Sequence, residues 1–310
     1  MKILLTNLCL DGFGGSESWL YSMATELKRR GNEVYVYSQR CGKVYEKLKN
    51  SGITLATSSN FDLILDNHNQ SAGKFTGFTI HTCHGIIVEE RPMPNALNIA
   101  VSKKVSEKYG IDVIIPNSID TNRFCCKNLP RDRIKKILSL CKSDSANYQL
   151  SRICFEHGVL FESMYRREVF NIEEKINEAD LVVGVGRSLL DAMACGRPVV
   201  SFDDRCYYST RMMGHGYITP DKFKFQQIDN FTASSIGISL SKEDLEREIF
   251  EKYNPKDGEV NRQFIIENLS IEKAVDRYLE LYNMSDHSKI FVSKPASSVK
   301  IDSNKYYGWT

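Results

Sequence analysis

Two glycine-rich turns constrain the fold of this chain more than any other feature. Each follows an apolar, β-rich run and opens a helix, and there is one in each half. The first is Asn7-Leu-Cys-Leu-Asp-Gly-Phe-Gly-Gly-Ser-Glu17, which sets Gly12, Gly14 and Gly15 between a strand at Lys2–Thr6 and a helix over Ser16–Arg30. The second is Leu181-Val-Val-Gly-Val-Gly-Arg-Ser188, which runs on as Leu-Leu-Asp-Ala-Met-Ala until Gly196-Arg-Pro stops it before Val199-Val200. A strand that ends in glycines at a helix start brings backbone amides and the positive end of the helix dipole together, which suits an anion. Two such units predict an α/β chain of two Rossmann-like domains with ligands at the carboxyl ends of parallel strands.

The rest of the chain supports that alternation. In the first helix Trp19, Leu20, Met23, Ala24 and Leu27 share one face. Further strands are expected at Glu33–Ser38, Ile53–Ala56, Leu63–Leu65, Phe78–His81, Leu97–Val101 and Val113–Ile115, with a short helix at Lys103–Lys108. A second unit begins near Arg131, with strands at Ile137–Leu140 and Val159–Phe161 and helices at Ala146–Glu156 and Asn171–Asn177. After Phe202 the pattern loosens, and two helices follow at Lys242–Lys252 and Ile271–Tyr282. The expected domains are residues 1–128 and 129–284, with the last helix free to pack back on the first domain. Residues 285–310, mixed in Ser, Lys and Pro, read as a flexible tail.

Composition excludes several classes. At 310 residues with 42% hydrophobic and 26% charged, the chain can build two ordinary cores, and a formal charge of +2 gives no general pull toward nucleic acid or anionic membrane. No apolar run approaches the ~18 residues of a membrane span, and MKILLTNLCL reads as a first strand, not a signal peptide. Nine cysteines without a C-x-x-C fit reduced thiols in a cytoplasmic protein, with neither a metal site nor a disulfide framework.

Each turn has two readings at this stage. The first is not a dinucleotide fingerprint, because the third glycine would fall at Glu17, and it lacks the Gly-Lys-Ser/Thr of a P-loop. It fits an anion cradle at Gly14 and Gly15, or a plain loop closed by a Ser16 cap. In the second, Gly186 frees the turn, Arg187 adds a cation and Ser188 can cap the helix. Asp191 stands at capping-box spacing from Ser188, and a first-turn carboxylate there also suits the vicinal hydroxyls of a ribose.

Three stretches together resemble one family. Gly14-Gly15-Ser16-Glu17 is similar to a Gly-Gly-x-Glu opening. Ile99-Ala-Val-Ser102 with Ile115-Pro-Asn-Ser-Ile-Asp120 through Phe124 is similar to a run with Gly where Ser118 stands. Ala179–Val200 is similar to the family's nucleotide-binding strand–turn–helix. The chain thereby resembles the GT-B glycosyltransferases, and within them the retaining glycosyltransferase family 4. The resemblance implies a nucleotide diphosphate sugar bound as substrate, with no cofactor and no metal. Donor-binding residues would be Gly14, Gly15, Lys142, Gly186, Arg187, Ser188 and Asp191, the last holding the ribose. His84, just past a strand end, would be the active-site histidine. The acceptor is left open among a glycan, a lipid, a small molecule and a modified nucleic acid.

The departures are specific. The first glutamate of the family's E-x7-E motif falls on apolar Val183, the basic pair after the second domain's first strand reduces to Lys142, and that domain reads about one βα unit short. A nucleotide-sugar epimerase of the same fold and a non-catalytic sugar-nucleotide-binding protein are the alternatives; an NAD-dependent oxidoreductase is disfavoured by Glu17. His81, three residues before His84, faces the other side of a strand, so the two do not form a metal pair. Asp66-Asn67-His68-Asn69 ends a strand on the expected acceptor side. Asp203-Asp204-Arg205 reads as solvated loop charge, and Lys289, Lys294, Lys300 and Lys305 as solvated tail.

Overall fold

The structure is a computed structural model that describes residues 1–12, 14–86, 90–167, 169–205, 210–234 and 237–285. The tail from residue 286, with its four lysines, lies outside the described residues. The chain divides into two compact units, Met1–Ile99 with Tyr278 onward, and Ala100–Arg277. The sequence reading set the division after residue 128. Residues 100–128 instead join the second unit, since Ile119 and Phe124 are buried in its core and Ile119 bridges Ser270. Tyr278 joins the first unit, where its hydroxyl meets Thr82 Oγ1 at 2.9 Å and its ring lies 5.9 Å from that of Trp19.

The first unit is a six-stranded sheet built from β1 (Lys2–Leu10), β2 (Glu33–Cys41), β3 (Thr54–Leu55), β4 (Asn60–Asp66), β5 (Thr76–Cys83) and β6 (Leu97–Ala100), in the order β3-β2-β1-β4-β5-β6. From β3 to β5 neighbouring strands run parallel. Helix α1 (Gly15–Arg29) buries Trp19, Leu20, Met23, Ala24 and Leu27, the face its periodicity predicts. Helix α2 (Lys43–Asn50) was not expected; it buries only Val44 and Leu48, one turn apart, too little for a periodic signal.

The second unit opens with α3 (Lys103–Tyr109) and carries β7 (Lys136–Ser139), α4 (Asp144–Glu156), β8 (Leu160–Ser163), α5 (Ile172–Glu178), β9 (Leu181–Gly184), α6 (Arg187–Ala194) and β10 (Val199–Asp203). It continues through β11 (Met213–Tyr217), α7 (Phe223–Ile228), β12 (Ile238–Ser239), α8 (Lys242–Phe250), α9 (Asp257–Asn268) and α10 (Ile271–Met284), whose last turns belong to the first unit. The sheet order is β12-β11-β10-β9-β7-β8, parallel from β8 to β10 and antiparallel beyond. Val113–Ile115, expected as a strand, makes only an isolated bridge from Ile114 to Ala100. Val183 lies in the apolar core with Ile137, Leu181 and Val200, so the position of the missing glutamate is packing, not surface.

Candidate functional site

The carboxyl ends of the parallel strands are the ligand-bearing edges of such sheets, and both units concentrate buried polar groups there. In the second unit, β9 runs into Gly186, whose φ of +64° any L side chain would strain. Its N–H donates to the Phe231 carbonyl at 2.6 Å, anchoring the turn to a loop in which Asn230, Phe231 and Ala233 all take positive φ. Phe231 is buried in that conformation, which a bulky side chain rarely adopts. Such strain persists where surrounding structure enforces it, and it clusters at functional sites.

Gly186 is also the cap of α6, with no side-chain cap bond, and the helix starts at Arg187. Ser188 is therefore a first-turn residue and not the cap expected for it, and the Ser188–Asp191 capping box does not form. Arg187 and Asp191 stand one turn apart, Nε to Oδ1 3.7 Å, beyond hydrogen-bond reach, with 10% and 13% of their side chains exposed. All three guanidinium nitrogens of Arg187 and Oδ1 of Asp191 are buried without a hydrogen-bond partner. Burial lowers the Arg187 pKa against the pull of Asp191, and burial pushes Asp191 up to about 6 although Arg187 opposes it. Asp120 and Arg123, from the segment that resembles the family's Pro-Asn run, add to the field at Arg187. Ser118 Oγ in the same segment is another buried orphan.

Lys142 follows β7 as expected and is exposed, and its N–H donates to Asp203 Oδ2 at 2.9 Å. The Asp203–Asp204 pair is not solvated. Asp203 also accepts from Ser143 Oγ at 2.7 Å and from Arg205. Asp204 accepts from Ser145 Oγ, Arg211 and Met212 N–H, and the Arg211 bond leads the effects that hold its carboxyl at about 2. Both acids are spent on tying β10 to the start of α4 and to β11. Among the described residues no group of three His, Cys, Asp or Glu is placed to hold a metal ion.

In the first unit Gly14 caps α1, so Ser16 is not the cap. The two glycines differ in what they allow. A Cβ on Gly14 would come within 2.3 Å of Glu17 Oε2, whereas one on Gly15 would meet nothing within 4 Å. Gly14 thus makes room for a buried carboxylate beside the helix start, and Gly15 leaves the backbone open to a ligand. His84 is half-buried; its Nε2 lies 3.1 Å from Asn67 Oδ1 and its ring packs edge-on to Trp19 at 5.3 Å.

The sequence reading missed the ionic network behind His84. Asp66 and His81 face each other across β4 and β5, fully buried, with Oδ2 to Nδ1 2.7 Å, and Asp66 Oδ1 accepts from Thr6 Oγ1 and Ser71 N–H. Burial works against the Asp66 charge, but His81 and Ser71 hold its pKa below the usual value. Just past β4, His68 Nε2 meets Glu90 Oε1 at 3.1 Å, and Glu90 Oε2 accepts the His84 N–H at 2.7 Å. Against burial, His68 and His84 hold Glu90 at about 2, while Glu90, Glu17 and Asp66 raise His68. His84 lies just past the end of β5, and His81 and His84 engage different partners, Asp66 and Asn67.

Comparison with solved structures settles the architecture. A glycosyltransferase from Rickettsia africae superposes with a TM-score of 0.56 at 13% identity, over 91% of this chain and 98% of that one. The fold is GT-B. HepE of Anabaena, solved with UDP and glucose, superposes at 0.53 with 16% identity over 92% and 100% of the two chains. An α-glucosyltransferase solved with UDP and a 13-mer DNA containing an HMU base superposes at 0.52 with 10% identity over 91% and 99%. No family model and no curated protein matches the sequence. At these identities the likeness extends to the GT-B fold and not to particular residues. Among the described residues no helix is long and apolar enough to cross a membrane.

Proposed function

We propose that this chain is a metal-independent, retaining glycosyltransferase that moves a hexose or pentose from a nucleotide diphosphate donor to an acceptor hydroxyl. The observation that carries this reading is the Arg187 guanidinium, buried at a helix start with no hydrogen-bond acceptor. A charged group in that state costs several kcal/mol of desolvation unless an anion completes it, and Asp191 at 3.7 Å does so only in part. A diphosphate supplies the missing acceptors, and the first amides of α6 complement it. UDP in two of the GT-B neighbours supports the ligand class.

In the proposed reaction the bond between the anomeric carbon and the phosphate oxygen breaks, and its electron pair leaves with the diphosphate. Arg187 and the helix start stabilise that developing charge. The acceptor oxygen attacks from the leaving-group face, and its proton passes to the departing phosphate oxygen. Asp191 holds the donor through the ribose, Lys142 and Ser188 add to the phosphate field, and in the first unit His84 hydrogen-bonds a sugar or acceptor hydroxyl. The acceptor is a glycan, lipid, small molecule or modified nucleic acid, and the eight described cysteines, all free thiols, fit a cytoplasmic setting.

The test is calorimetric titration of the full chain with UDP, GDP, ADP, CMP and NAD⁺ without added metal. One nucleoside diphosphate binding in the micromolar range supports the reading. Silence across the set from a folded sample overturns it.

A further inference from the structure

The guanidinium of Arg187 has no hydrogen bond of its own to fix where it points, and α6 starts without a side-chain cap. Its aim is therefore set by the residue before it. Gly186 holds φ +64° and ψ −137°, and the bond from its N–H to the Phe231 carbonyl ties that conformation to the Asn230–Ser234 loop. The loop also touches the turn, since a Cβ on Gly186 would lie 3.7 Å from Thr232 Cγ2 and 3.8 Å from the Asn230 carbonyl oxygen. What holds the loop thus holds the turn.

The loop does not hold itself. Asn230, Phe231 and Ala233 sit in the left-handed region, which L side chains enter at a cost. Burial of Phe231 in the cluster that contains Leu189 and Leu190 of α6 offsets part of that cost. Packing beneath the loop is incomplete, with a cavity of about 10 Å³ among Val101, Pro116, Leu190, Asn230 and Phe231. The remaining constraint is polar and comes from 130 residues away in the chain. Lys104, on α3, donates through Nζ to the Ser234 carbonyl at 3.1 Å and to Ser234 Oγ at 2.9 Å. Ser234 Oγ meets Thr232 Oγ1 at 2.8 Å, and Thr232 Oγ1 donates to the Asp229 carbonyl at 2.8 Å, so the polar chain spans Phe231 on both sides.

A lysine suits this place. Its ammonium carries three donors and no acceptor, so one group bridges a carbonyl and a hydroxyl at once, and its charge strengthens both bonds. Both acceptors are neutral, so the contact is not an ion pair. Lys104 also lies outside the three stretches that carry the family resemblance.

We propose that Lys104 is a positioning residue for the glycine turn of the second unit. By latching Ser234 it fixes the strained loop, whose Phe231 carbonyl sets Gly186 and through it the aim of Arg187. The inference rests on the reading of Arg187 as the diphosphate contact and adds to it a residue that acts through the loop.

The experiment compares wild type, Lys104→Met and Lys104→Arg as full chains labelled with ¹⁵N-glycine and ¹⁵N-valine. It reads amide hydrogen exchange by NMR and nucleoside diphosphate affinity by calorimetry. In Lys104→Met the Gly186 amide is expected to exchange about ten-fold faster, the loss of one charge-assisted hydrogen bond. The Val182 amide of β9, bonded to the Pro198 carbonyl, keeps its rate. Nucleotide affinity falls about ten-fold in step, and Lys104→Arg, which restores a donor to Ser234, recovers both. The proposal is overturned if Gly186 keeps its wild-type exchange in Lys104→Met, or if Gly186 and Val182 rise together, which marks general loosening. It is overturned equally if Gly186 alone rises and nucleotide affinity does not change. Should Lys104→Met not fold, Ser234→Ala, which removes only the hydroxyl acceptor, carries the same comparison with a smaller expected rise. A wild type silent to every nucleoside diphosphate sinks the transferase reading, and Gly186 exchange still decides whether Lys104 sets the turn.

Discussion

Arg187 and Asp191 lie one turn apart on α6, Nε 3.7 Å from Oδ1, both buried and neither completing the other's hydrogen bonds. The pair is close enough to share charge and too far apart to satisfy it. A buried arrangement of this kind serves stability poorly, because apolar residues of similar volume fill such positions at no loss.

Replacement of Arg187 therefore separates binding from stability. Made together with Asp191→Leu, so that neither charge is left buried alone, Arg187→Met is expected to keep or raise the melting temperature while weakening nucleoside diphosphate binding by at least about 1.5–3 kcal/mol, the range for a charge-assisted hydrogen bond. Calorimetry and thermal unfolding on one preparation check it. Unchanged nucleotide affinity would remove Arg187 from the site.

Asp191 gives the same site a pH signature. Its pKa rises from 3.8 to about 6 in the folded chain, so folding takes up a proton between those values. The folded state is thus expected to lose stability as pH rises through that window, and to regain nothing above it. Asp191→Asn abolishes the uptake. Urea unfolding of wild type and Asp191→Asn at intervals from pH 4 to 7 should diverge with rising pH, the wild type falling relative to the variant; parallel curves would show that Asp191 ionises normally.

How far these sites were legible follows from how local their signals are. Arg187 and Asp191 stood out because a strand, a glycine turn and a helix start are contiguous, and both residues fall in that helix. The Asp66–His81 pair was not visible, because only the register of β4 against β5 brings the two together. Glu90 reaches His68 from a separate loop, and neither residue has a motif. In the fold, α9 was missed because it buries Gly258, Asn261 and Ile265, which make no apolar stripe. Strand β11, Met-Gly-His-Gly-Tyr, has no β-branched residue; Gly214 is there because a Cβ would come within 2.0 Å of the Ser201 carbonyl on β10. Close backbone approach and cross-strand pairing are properties of the assembled sheet, and a single sequence does not display them.

Glu90 should behave oppositely to Asp191. Its pKa is lowered from 4.5 to about 2, so the stability it contributes is present above pH 4.5 and lost as pH falls toward 2. Glu90→Gln leaves His68 buried beside an uncharged partner and is expected to cost about 3 kcal/mol at neutral pH. Denaturant titration at pH 7 and again near pH 3 checks both parts, the difference between variant and wild type shrinking in acid.

His84 tests the division of labour at the sheet edge of the first unit. Its ring meets Asn67 and packs edge-on to Trp19. His84→Ala removes the ring and keeps the N–H that Glu90 accepts, so the loop retains its anchor. The variant is expected to bind the nucleotide found by calorimetry with affinity within about two-fold of wild type. Turnover of the corresponding nucleotide sugar, followed as nucleotide release with water or an added acceptor, should fall at least about ten-fold, in line with the loss of one positioned polar group. A parallel loss of nucleotide affinity would place His84 in donor binding instead. Full turnover would make it a packing residue on Trp19.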